Sequence, residues 1–101
     1  MALDTTVQER DINALTEFSD VKQVRKKLVQ SQKIVSEIVC YEPGQETVMH
    51  IHPAQDEVFY ATEGRGVITF EDNEIPINQG ETVFVPAGIR PGARSDADRT
   101  N

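Results

Sequence analysis

Residues 44–64, GQETVMHIHPAQDEVFYATEG, decide how this chain is read. Two short segments, 46–52 (ETVMHIH) and 56–62 (DEVFYAT), are rich in β-branched and aromatic residues. Pro53 separates them, and Gly44 and Gly64 close the ends. Such segments between glycine and proline turns read as β-strands of an antiparallel pair.

Outward from this stretch the same pattern repeats. Toward the N-terminus, 24–29 (VRKKLV) and 33–41 (KIVSEIVCY) read as strands around the polar turn Gln30-Ser31-Gln32, the second stopping at Pro43-Gly44. Toward the C-terminus, 67–70 (VITF), 74–77 and 81–85 (ETVFV) follow, separated by Glu71-Asp72-Asn73 and Asn78-Gln79-Gly80, with Pro86-Ala87-Gly88 after the last. Many short strands at this spacing predict an all-β fold, an antiparallel sandwich or barrel. Residues 11–18 suit a helical turn or an irregular lead-in. The expected division is a lead-in over 1–20, a barrel domain over 21–94 and a polar tail over 95–101.

The chain has 101 residues, enough for one domain and one core. Its formal net charge is -7, which argues against nucleic acid or an anionic membrane surface as a partner, because phosphates would be repelled. The one basic cluster, Arg25-Lys26-Lys27, reads as a solvated strand edge. A single cysteine, Cys40, makes no internal disulfide and reads as a small buried residue. The start of the chain lacks the basic and apolar regions of a signal peptide, and no apolar run approaches a bilayer-spanning length of about 20 residues. A cytoplasmic location is the expectation.

His50 and His52 are the only histidines and stand two apart in a strand reading. Side chains at i and i+2 share a face, so two imidazoles can meet one ion. Glu57, past the turn, can reach back toward the same point. Two neutral nitrogens and a carboxylate suit a divalent Fe, Mn, Ni, Co or Zn ion and leave positions open for water or substrate. Spacing alone leaves the alternative open that two surface histidines share a strand.

Together these residues resemble the cupin family. Its first motif, G-x5-H-x-H-x4-E-x6-G, is met by Gly44, His50, His52, Glu57 and Gly64. Gly80, Pro86 and Gly88 match the first half of its second motif, G-x5-P-x-G-x2-H-x3-N. The resemblance implies a jelly-roll β-barrel over roughly residues 21–94, with His50, His52 and Glu57 as metal ligands inside one mouth. It also implies a homodimer acting on, or binding, a small molecule.

Two departures matter. The third histidine of the family pattern falls on Pro91 and its asparagine on Ser95. Proline offers neither a side-chain donor nor a backbone N–H. Residues 92–101 (GARSDADRTN) hold no apolar run, so the final strand is either missing or replaced by another segment or chain. Alternation places Val58 and Tyr60 on the face opposite Glu57, Phe59 and Ala61, an apolar outer face that something should cover. Phe59, Phe70 and Phe84 are expected in the core, and Arg90 beside the mouth. Two functions compete: a metal-dependent enzyme of dioxygenase, isomerase or decarboxylase type, and a non-catalytic ligand-binding or metal-sensing module with a degenerate site.

Overall fold

The computed structural model describes residues 3–48, 54–96 and 99–101. Its elements run α1 (Ile12–Leu15), β1 (Val24–Gln30), β2 (Val35–Cys40), β3 (Glu46–Thr47), β4 (Glu57–Tyr60), β5 (Arg65–Thr69), β6 (Glu74–Asn78), β7 (Thr82–Val85) and β8 (Gly92–Ser95). The fold is all-β, as the turn spacing predicts. Gly44, Gly64, Gly80 and Gly88 all take positive φ, the conformation a side chain disfavours. Asp11 caps α1 by accepting from the backbone of Asn13 and Ala14.

The strands form three antiparallel sheets, none closed on itself: β1–β2, β3–β8–β5–β6 and β4–β7. The four-stranded sheet and the β4–β7 pair meet in a jelly-roll core. Ala61, Ile68 and Ile77 are buried at its centre, with Phe59, Phe70, Val83 and Ala93 packed against them. Register sets the inner face, because directly paired residues share one. Glu57 pairs with Val85 and Phe59 with Val83; Ile68 lies between Ile75 and Ala93, and Ala93 pairs with Thr47. A bulge between Lys27 and Val29 leaves Leu28 without a direct partner on β2. Arg25 pairs with Glu37 and Lys26 with Glu17 in ion pairs at 3.1 and 2.9 Å, so part of the basic cluster is neutralised locally. Cys40 is buried.

The final strand is present, which corrects one expectation. Gly92–Ser95 lies between β3 and β5 in the four-stranded sheet. An apolar run is not needed there: Ala93 covers Ile68 with one methyl, while Arg94 reaches Glu74 at 2.8 Å. Backbone hydrogen bonding to two neighbours supplies what side-chain burial does not. The chain then returns across the barrel. Thr100 pairs with Tyr41 through backbone bonds of 2.8 and 3.0 Å, and the Asn101 carbonyl accepts from the amides of Thr62 and Glu63. Gly64 makes this crossing possible. A Cβ there would strike the Arg99 carbonyl and lie 2.8 Å from Thr100 Oγ1.

A second correction concerns Phe84. It lies on the outer face opposite Val58 and is 61% exposed, because alternation along Thr82–Val85 gives the core to Val83 and Val85. Val58 and Tyr60 are 63% and 58% exposed beside it. The N-terminal segment covers other ground: Glu17 binds Lys26, the Ser19 carbonyl accepts from Gln45, and Thr16 accepts from Asn101.

Candidate metal centre and cavity

Of the three ligands expected from the motif, Glu57 is described. It begins β4 on the inner face opposite Val85. The preceding residue, Asp56, accepts a 2.8 Å hydrogen bond from the Ala87 amide. That bond ties the entry of β4 to the Pro86–Gly88 turn, which leads on to Pro91. His50 and His52 lie outside the described residues. Among the described residues no group of three histidine, cysteine, aspartate or glutamate side chains comes together.

Pro91, at the family's third-histidine position, is among the most buried of the described residues and lines the same cavity as Glu57. The cavity therefore meets a pyrrolidine ring where an imidazole would add a donor. The remaining donor set, two imidazoles and one carboxylate, is chemically suited to a borderline divalent ion, and the inward position of Glu57 is compatible with it. Arg90 is exposed, near the turn at Glu71–Asn73.

The cavity is about 610 Å³ and opens among all three sheets. Its apolar wall includes Leu28, Ile38, Phe59, Ile68 and Ile77. Many polar and charged groups also line the cavity, Arg25, Glu37, Asp56 and Glu57 among them, and polar groups converging beside an apolar surface are what a small-molecule site needs. Tyr41 and Thr47 are two of them, and sequence reasoning did not single them out. The Tyr41 hydroxyl stands 2.7 Å from Thr47 Oγ1. Burial pushes the Tyr41 phenol above its ordinary pKa, and the bond to Thr47 and the charge of Arg25 pull it back in part. Period two along β2 places Tyr41 on the face of Glu37 and Val39, so a polar ring ending an apolar strand was the available signal. Thr47 was hidden because residues 46–52 read as one strand with the histidines inward, whereas β3 is Glu46–Thr47 and turns Thr47 toward the core.

The sequence matches the Cupin_2 family, the cupin domain, over residues 37–99. It is similar to TT1209 from Thermus thermophilus, with a TM-score of 0.85 and 27% identity over 93% of this chain and 90% of that one. A cupin protein described as RmlC-like, from Desulfovibrio desulfuricans, has a TM-score of 0.84 at 22% identity, covering 94% and 92% of the two chains. The uncharacterized protein MJ1618 of Methanocaldococcus jannaschii is 33% identical over 43 residues. That match spans 43% of this chain and 34% of MJ1618. No described helix is long and apolar enough to cross a membrane. The motif glycines at their turns, the jelly-roll core and the match over more than half its length lead to one conclusion: the chain belongs to the cupin family, as a small cupin-barrel protein.

Proposed function

We propose that this protein binds a divalent metal ion through His50, His52 and Glu57 and presents it to a small molecule in the barrel cavity. The observation that carries this reading is the inward position of Glu57 at the head of β4, on a cavity wall held by the Asp56–Ala87 bond. The ion would be Fe, Mn, Ni, Co or Zn, since two imidazoles and a carboxylate are borderline ligands. When bound, it would act as a Lewis acid or redox centre with positions open to substrate. The chain's own residues enclose the ligand, and Phe59 and Ile68 keep bulk water from its apolar part. A metal-dependent enzyme of dioxygenase, isomerase or decarboxylase type is the first reading.

A second reading, a non-catalytic ligand-binding or metal-sensing module, is favoured by one observation. Pro91 fills the third-histidine position with a group that cannot coordinate. A homodimer is part of both readings, with Val58, Tyr60 and Phe84 as the face a second copy would cover. The test is a titration of metal-stripped protein with Zn, Mn, Ni, Co and, without oxygen, Fe(II), followed by thermal melting. One ion should raise the melting temperature of the wild type and leave Glu57→Ala unmoved. Equal shifts in both proteins would remove Glu57 from the site. Chelator-sensitive turnover would select the enzyme over the module.

A further inference from the structure

The wall of the cavity carries a hydroxyl proton that no described residue accepts. Tyr41 is 8% exposed, and its hydroxyl meets Thr47 Oγ1 at 2.7 Å. Both groups are hydroxyls, so the pair holds two protons, and one lies between the oxygens. Whichever residue donates that bond, the other hydroxyl keeps a proton with no acceptor among the described residues. Both side chains line the cavity.

Arg25 faces the same space. It pairs with Val39 across β1–β2, and Tyr41 lies two residues further along on Val39's face. Arg25 lines the cavity and binds Glu37 through Nη1 at 3.1 Å. A guanidinium has five N–H donors in a fixed fork, so one such bond leaves capacity for a second acceptor. Phe59, Ile68 and Ile77 supply apolar surface to the same cavity, which the carboxylates of Glu37 and Glu57 also line. A buried hydroxyl donor and a guanidinium with donors to spare, lining one cavity with aliphatic and aromatic side chains, match an amphiphilic anion held on the Arg25 side of Glu37.

We propose that the Tyr41–Thr47 hydroxyl pair and Arg25 form the recognition station for the carboxylate of a small organic acid whose apolar body packs on Phe59 and Ile68. The proposal rests on the reading of the cavity as a small-molecule site and names the class of molecule. The unspent hydroxyl proton donates to a carboxylate oxygen, and the Arg25 guanidinium faces the charge. Both contacts form as the ligand loses water, where charge-assisted hydrogen bonds are strongest.

The experiment uses the full chain, with benzoate as probe and benzyl alcohol as the same body without the anion. Dissociation constants come from NMR titration of metal-free and Zn-treated protein. Benzoate should bind saturably and benzyl alcohol about tenfold or more weakly, the ratio expected when a charge-assisted bond is lost. Tyr41→Phe/Thr47→Val should lose about tenfold for benzoate and leave benzyl alcohol unchanged. The single variants should differ from each other, because only one of the two hydroxyls is the terminal donor. Melting curves establish that the variants fold. If the double variant does not fold, Arg25→Gln takes its place, with about tenfold weaker benzoate binding expected. Absence of saturable benzoate binding in both preparations, or an unchanged constant in the folded variants, would overturn the proposal. The metal reading stands or falls separately, on whether Zn is retained.

Discussion

Replacing Gly64 with alanine tests how the return of the chain across the barrel is held. Gly64 has φ of 81°, and a Cβ there would collide with the Arg99 carbonyl and crowd Thr100 Oγ1 at 2.8 Å. Gly44 has φ of 83° with nothing within 4 Å of its virtual Cβ. The two substitutions share the left-handed backbone cost, about 1–2 kcal/mol. They also share a partial offset, because alanine restricts the unfolded chain. Gly44→Ala should therefore cost about 1 kcal/mol. Gly64→Ala must in addition displace the backbone of Arg99. That loosens the bonds from Thr62 and Glu63 to the Asn101 carbonyl and from Thr100 Oγ1 to the Arg65 carbonyl. At about 1 kcal/mol per bond, the total reaches about 3–5 kcal/mol. Urea unfolding of both variants at constant slope reads the difference, which should separate the midpoints by on the order of 1 M. Equal midpoints would refute the reasoning, since the Arg99–Asn101 segment would then hold nothing in place.

Three further outcomes are expected. The phenol of Tyr41 has a folded pKa above its ordinary value of 10.0, chiefly through burial. Its contribution to stability is therefore complete below about pH 10 and is lost as pH rises through the folded value. The urea midpoint of the wild type should fall as pH rises above about 10, and Tyr41→Phe should flatten that slope; parallel slopes would contradict it. Phe84→Ser with Val58→Thr should change monomer stability by only about 0.5 kcal/mol each while abolishing dimers in sedimentation. Dimers that survive the pair of changes would place the interface elsewhere. Glu42→Ala removes the partner that Arg99 Nε reaches at 2.5 Å, but Arg99 is largely exposed and also stacks over Phe18 at 4.7 Å. A loss of about 0.5–1 kcal/mol by urea unfolding is expected, and one above about 2 kcal/mol would assign the pair a larger structural role.

The fold was legible in the sequence because its punctuation is covalent in origin. Glycines at four strand ends take the backbone conformation that other residues disfavour, and Pro43 and Pro86 follow the ends of β2 and β7. β8 was not legible. Its residues, Gly-Ala-Arg-Ser, carry no apolar signal because the strand is held between two neighbours by its backbone and contributes one methyl to a core already filled by Ile68. Phe84 shows the limit of composition against period: its residue type suggests the core, while alternation with Val83 and Val85 sends it outward. The candidate site rests on a motif of which only Glu57 is described, on the inner face opposite Val85, while His50 and His52 lie outside the described residues. The Tyr41–Thr47 pair was not legible, because it joins residues from β3 and the end of β2 through a register that period alone does not reveal.

The central claim is that three ligands suffice to hold a metal although Pro91 occupies the fourth position. Elemental analysis of the purified protein, beside a His50→Ala/His52→Ala control, tests it most directly. The account predicts near-stoichiometric Fe, Mn, Ni, Co or Zn in the wild type and none in the control. Protein that is metal-free as purified, and that takes up no added ion, would contradict it and leave the cavity as a metal-independent binding site.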